Sequence, residues 1–231
     1  MINFILMDIE GTTTSISFVH EVLFPYASKH LPTFIPSNAS DPKVVSELLA
    51  VQATVLEEEG RAISQEEAVQ QLLDWIRQDR KHTALKTLQG YLWREGYETK
   101  QYQGHIYEDV LPVMQQWEAA GKGMGIYSSG SVEAQKLLFG YSDKGDLTPY
   151  LSAYFDTKIG HKREIQSYHN IQSKLAIPAT EILFLSDVEQ ELDAAKAAGF
   201  QTVQLLRPGT NASQKHPTVT TFFELESFWR F

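Results

Sequence analysis

Runs of unbroken apolar residues punctuate this chain. Phe4-Ile5-Leu6-Met7, Met124-Gly125-Ile126-Tyr127 and Ile182-Leu183-Phe184-Leu185 contain no charged side chain. A strand with one wet face alternates apolar and polar positions, so an unbroken run marks a strand covered on both faces, as inside a parallel sheet. Thr202-Val203-Gln204-Leu205-Leu206 reads as a further strand and Ala153-Tyr154-Phe155 as a weaker one. Between them, helical spacing of apolar residues predicts helices over 107–120, 132–139, 163–175 and 189–198. Strands alternating with helices of this length imply right-handed βαβ units, hence an α/β fold with a doubly wound parallel sheet.

The pattern is different from about residue 16 to residue 104, where no convincing strand occurs. Residues 19–31 have helical spacing, broken or kinked around Pro25, and 32–40, with two prolines, reads as a turn-rich connector. Asp41-Pro42 is a good cap and first position for a helix to Glu59. Ser64-Gln65-Glu66-Glu67 is a capping box opening a second helix to about Arg80. A third spans 83–95 and ends at Gly96. These segments predict an all-helical cap over 16–104, inserted into a core made of 1–15 and 105–231. Trp75, Trp93 and Trp117 lie on apolar helix faces and read as core. Phe222, Phe223, Leu225, Phe228 and Trp229 are expected to pack back on the sheet.

Composition narrows the function. A chain of 231 residues can bury roughly 70–75% of its unfolded surface, enough for one large core and a smaller unit. The net charge of −9 and a pI near 5.3 offer no basic patch for nucleic acid. Zero cysteines exclude a disulfide framework and a thiolate zinc site. Neither a signal peptide nor a membrane span is read from the sequence, so a cytoplasmic protein is expected.

Chemistry is suggested where the apolar runs stop. The first runs into Asp8-Ile9-Glu10-Gly11-Thr12-Thr13-Thr14, two carboxylates with one residue between them. Acids are costly to bury, so a pair at a buried strand end points to a positive partner, and a divalent cation fits best. Gly11 allows a sharp turn, and the threonines offer hydroxyls and N–H groups to an anion. Ser128 and Ser129 follow the second run and Asp187 a later one. Ligands of open parallel sheets bind at the carboxyl ends of the strands, so these groups are expected to converge. Asp8, Asp187 and either a backbone carbonyl or Glu10 would hold Mg²⁺. Taken singly, Asp187 and the serines also suit helix capping, and Lys162 suits a solvated surface. His161 reads as a turn residue.

Asp8-Ile9-Glu10-Gly11-Thr12, Ser128, Lys162 and Leu185-Ser186-Asp187 resemble, in order, the four motifs of the haloacid dehalogenase superfamily. The longer stretches Tyr127-Ser128-Ser129-Gly130-Ser131-Val132-Glu133-Ala134 and Phe155-Asp156-Thr157-Lys158-Ile159-Gly160-His161-Lys162 are similar to the enolase-phosphatase family of methionine salvage. So are Arg80-Lys81, Thr83-Ala84-Leu85-Lys86 and Arg207-Pro208-Gly209. Glu10 stands where the superfamily usually has a second Asp.

The resemblance implies that Asp8 attacks phosphorus, Glu10 moves protons, and Ser128, Ser129 and Lys162 hold the phosphorylated substrate. It implies one Mg²⁺ on Asp8, Asp187 and Glu10, the last by side chain or carbonyl. Glu191, one helical turn beyond Asp187, would order metal-bound water or pair with Lys162. The substrate implied is 2,3-diketo-5-methylthiopentyl 1-phosphate, enolised and then dephosphorylated by a monomeric enzyme. Arg80 and Lys86 are candidate contacts for its thioether end. A general phosphatase of the same superfamily would share every catalytic residue, and a phospho-acceptor signalling module would use related ones on a shorter chain.

Overall fold

A computed structural model describes residues 1–227; Phe228 and Trp229 of the apolar tail lie outside the described residues. The chain divides into two compact units, Val19–Tyr102 and the remainder.

The larger unit contains β1 (Phe4–Met7), the helical turn α1 (Ile16–Phe18), and, after the intervening unit, α6 (Val110–Ala119), β2 (Gly123–Tyr127), α7 (Val132–Gly140), β3 (Ala153–Phe155), α8 (Ile165–Leu175), β4 (Ile182–Ser186), α9 (Glu189–Ala197), β5 (Gln201–Leu205) and β6 (Thr218–Val219). The six strands form one sheet in the order β3-β2-β1-β4-β5-β6, with every pairing parallel. The expected doubly wound α/β sheet is therefore present. Its central strand, β1, is fully buried, as an unbroken apolar run requires. The chain leaves β1 for β2 on one side and reaches β4 on the other, so a crevice opens at the carboxyl end of β1.

Register also fixes side-chain size. Phe4 pairs with Gly123 across β1 and β2, and its ring covers the space where side chains at 123 and 125 would stand. A Cβ at Gly123 would lie 2.5 Å from the ring, and one at Gly125 2.9 Å from it. Behind the sheet, Tyr127, Tyr168, Phe184 and Phe200 pack edge-on in one aromatic group. In the tail Phe222 and Leu225 are buried, whereas Phe223 is exposed, contrary to expectation.

The helical unit comprises a single π-helical turn (Val19–Leu23), α2 (Phe24–Ser37), α3 (Pro42–Glu59), α4 (Gln65–Arg77) and α5 (Thr83–Glu98). Its core joins Ala27, Leu31 and Ile35 of α2 to Leu48, Val51 and Val55 of α3, Leu72 and Trp75 of α4, and Leu85, Leu88 and Leu92 of α5. The capping box at Ser64 is formed in both directions. The expected connector over 32–40 is instead helix up to Ser37, with Pro32 and Pro36 inside it. Burial of Ala27, Leu31 and Ile35, spaced by four, outweighs the local cost of two prolines. α5 runs past Gly96 to Glu98; the glycine there leaves room for the Tyr102 ring, 2.6 Å from where a Cβ would be. Trp75 is buried, but Trp93 is only half-buried, its indole N–H donating to the Leu23 carbonyl at 2.9 Å. Arg80, a candidate contact for the thioether end, forms within this unit a fork on Glu58 at 2.9 and 2.5 Å and lies 4.4 Å over Trp75. Lys86 is half-buried on α5. Among the described residues no helix is long and apolar enough to cross a membrane.

Candidate active site

The loop after β1 is tied to itself and to β4. The Asp8 N–H donates to the Leu185 carbonyl at 2.9 Å, extending the ladder one residue beyond the strand. The Ile9 carbonyl then accepts the N–H groups of Thr12, Thr13 and Thr14 at 2.9–3.1 Å, and Gly11 N–H donates to the Thr14 carbonyl at 2.8 Å. The Thr13 hydroxyl closes the loop by donating to the Asp8 carbonyl at 3.1 Å. Gly11 has φ +72°, and a Cβ there would lie 2.6 Å from Cγ of Asp187. Only glycine serves at this position: the backbone is left-handed and the motif from β4 leaves no room.

Three strand ends deliver side chains to this loop. Lys162, on the loop after β3, is buried and forms an ion pair with Asp8 and another with Glu191 at 2.6 Å. Its loop is pinned from behind. The Tyr127 hydroxyl donates to the Gly160 carbonyl at 3.0 Å, Ser167 to His161 at 2.7 Å and Tyr168 to Lys162 at 2.7 Å. Ser128, buried after β2, donates to Oε2 of Glu10 at 3.5 Å and accepts Gly130 N–H at 3.2 Å. Asp187 follows β4. Gln204 of β5 donates to its carbonyl at 2.8 Å, and Ser186 donates to Glu191 at 3.0 Å.

Asp8, Glu10, Ser128, Lys162, Asp187 and Glu191 are thus gathered around one crevice. Ser129 and His161 are exposed, and His161 accepts the N–H of Arg163 at 3.2 Å. The spacing of Asp187, just before α9, and Glu191, in its first turn, signals Glu191 in the sequence. Gln204 and Ser186 carried no such signal, since an amide or hydroxyl at a strand end has many ordinary uses.

Charge is unbalanced in the crevice. Burial pushes the Asp8 carboxyl well above the usual carboxylate range; Lys162 pulls it back, while Glu191 and Glu10 act with burial. Asp187 is pushed up to about 6, first by burial and then by Glu191. Burial also opposes the Lys162 ammonium, but Asp8 and Glu191 overcome it and hold its pKa above the ordinary lysine value. Four carboxyl groups share one ammonium, a deficit that a cation would relieve.

A divalent ion fits the donor set. Oδ1 of Asp187 is buried without a hydrogen-bond partner. Among the described residues no three His, Asp or Glu side chains form a closed cation cage. The Glu10 carboxylate accepts from Ser128 at 3.5 Å through Oε2 alone, so Asp8, Asp187 and either the carboxylate or the carbonyl of Glu10 could serve as donors. Mg²⁺ suits such a sparse set, because it keeps several waters and takes one or two carboxylates together with substrate phosphate.

Comparison with known proteins agrees. The haloacid dehalogenase-like hydrolase family matches residues 2–199. Enolase-phosphatase E1 of a Picosynechococcus strain is 52% identical over 227 residues, covering 98% of this chain and 99% of the relative. The chain belongs to the haloacid dehalogenase-like hydrolases and, within them, to the enolase-phosphatases. Enolase-phosphatase E1 of Pseudomonas aeruginosa is 50% identical over 96% of both chains. The crystal structure of UTR4 protein from Saccharomyces cerevisiae has a TM-score of 0.78 at 37% identity, covering 96% of this chain and 99% of that one. A phosphatase of this superfamily from Thermococcus onnurineus, 18% identical with a TM-score of 0.63, shares the fold. This enolase-phosphatase is accordingly an enzyme for a small phosphorylated substrate, in a family that generally uses a divalent metal.

Proposed function

We propose that this enolase-phosphatase enolises 2,3-diketo-5-methylthiopentyl 1-phosphate and then hydrolyses the enol phosphate to acireductone and phosphate. The observation that carries the reading is the Lys162 ammonium held between buried Asp8 and Glu191 at the carboxyl end of β1. An Oδ of Asp8 attacks phosphorus and the bond to the enol oxygen breaks, giving an aspartyl-phosphate and dividing one displacement into two. Glu10 gives its proton to the leaving oxygen, then takes one from the water that cleaves the aspartyl-phosphate. Lys162 and the Ser128 hydroxyl hold phosphoryl oxygens, and Glu191 keeps Lys162 aimed at them. Ser129, exposed beside Ser128, serves substrate binding. Asp8, Asp187 and Glu10, the last by its carbonyl or its carboxylate, would hold Mg²⁺, which would supply charge neutralisation at the phosphoryl group. The same reading has the enzyme acting in the cytoplasm as a monomer.

Following phosphate release together with enol absorbance, with and without Mg²⁺, tests this. Asp8→Asn is expected to stop phosphate release while enol still forms. Equal loss of both steps would count against a role for Asp8 confined to phosphoryl transfer.

A further inference from the structure

The Thr12 carbonyl lies two residues beyond Glu10, and Arg207, just after β5, holds it. Nε and Nη2 of Arg207 donate to this one oxygen at 3.2 and 3.1 Å. The loop's internal bonds use the carbonyls of Asp8, Ile9 and Thr14 instead. Nη2 also meets both oxygens of Asp109 at 3.0 and 2.9 Å, and Nη1 donates to the Thr220 carbonyl at 3.1 Å. Asp109 takes a further N–H from Phe222 at 2.6 Å. Cζ of the guanidinium is 4.1 Å from the centre of the Tyr107 ring and 5.6 Å from that of Phe222. Arg207 and Asp109 are both buried.

We propose that Arg207 is a positioning residue for the loop that presents Glu10, with Asp109 as its anchor. The proposal rests on the proton-transfer role given to Glu10 above. Arg207 touches neither Asp8 nor Glu10; it acts through the Thr12 carbonyl. A fixed guanidinium fork suits this task, since it can grip a carbonyl and a carboxylate at once, which a lysine ammonium on a flexible stem cannot. If Thr12 is released, the turn closed by Gly11 and Thr14 gains freedom and Glu10 no longer waits in one place. Reaction geometry is sensitive to such shifts, and displacement of about 1 Å can lower turnover about 100-fold.

A buried ion pair can also be purely structural, so the test must separate the two. Arg207→Met removes the fork and leaves Asp109 buried and unpaired, which lowers the thermal midpoint in either case. Adding Asp109→Asn removes the stranded charge without restoring the grip on Thr12. The double variant is expected to recover most of the thermal midpoint while kcat stays about 10- to 100-fold low at nearly unchanged KM. A stable double variant with wild-type kcat, or one whose loss lies in KM, would overturn the proposal. Glu10→Gln is assayed alongside. If that variant stays active, the role of Glu10 fails and the proposal falls with it. If it is inactive while the double variant turns over normally, the positioning role alone is wrong.

Discussion

A methyl group at position 11 would collide with Asp187. Gly11→Ala therefore displaces the Asp187 carboxylate and strains a left-handed backbone, at a cost of about 1–3 kcal/mol. Mg²⁺ at about 100 times its Kd should stabilise the native enzyme by about 2.7 kcal/mol in a thermal melt. The same addition should leave Gly11→Ala and Asp187→Asn where they were; an unchanged Mg²⁺ response in both variants would remove Asp187 from the metal site. The polar groups that end apolar runs were readable at this scale, because Asp8, Ser128 and Asp187 each break a pattern. Lys162 was readable only through the resemblance, since a lone lysine breaks no pattern. The grip of Arg207 on Thr12 was not readable. It joins positions 195 residues apart, and nothing local marks an arginine whose carbonyl partner belongs to another element.

Helix α5 opens on His82, whose Nδ1 accepts the Ala84 N–H at 3.2 Å while Nε2 contacts the Thr54 hydroxyl at 3.0 Å. That arrangement needs a neutral ring. Burial, followed by the nearby Arg80 charge, lowers its pKa in the folded state below the ordinary value. The stabilisation is complete above about 6.5, the value in an unfolded chain, and is lost as pH falls through the folded pKa. Urea midpoints measured at about pH 8 and about pH 5 should differ more for the native chain than for His82→Asn, which caps without titrating. Equal differences would show that His82 is not the group responsible. The capping box at Ser64 was legible because its signal is contained in four residues. Pro32 and Pro36 misled, since a local breaker says nothing about the apolar stripe that holds α2 in place. The two-residue β6 offered too few positions for any period to show.

At the scale of the whole molecule, two hydrophobic clusters are separate, one in Val19–Tyr102 and one around the sheet. Leu72 is buried entirely within the helical cluster. Leu72→Ala should cost about 2–5 kcal/mol and fall first on residues 19–102. Hydrogen exchange by mass spectrometry should find their protection reduced at urea concentrations where β1 and β4 remain protected. Uniform loss across both units would mean that they unfold as one. The parallel sheet was legible because unbroken apolar runs alternate with helices. The order of its strands was not, because a βαβ unit states handedness without saying on which side of β1 the next strand lies.

The Phe4 ring lying against β2 at two glycines has a consequence for how this sheet can vary over evolutionary time. Positions 4 and 123 share one volume, which Phe4 fills from β1. A side chain added at 123 has space only if the ring on β1 has shrunk, so substitutions at these two positions should arrive as compensating pairs, whereas at 125 the Ala153 backbone carbonyl, 2.9 Å from where a Cβ would stand, blocks a side chain whatever residue occupies position 4. Homologues with a larger residue at 123 should carry a small one at 4, and a double exchange should restore folding that either single change impairs.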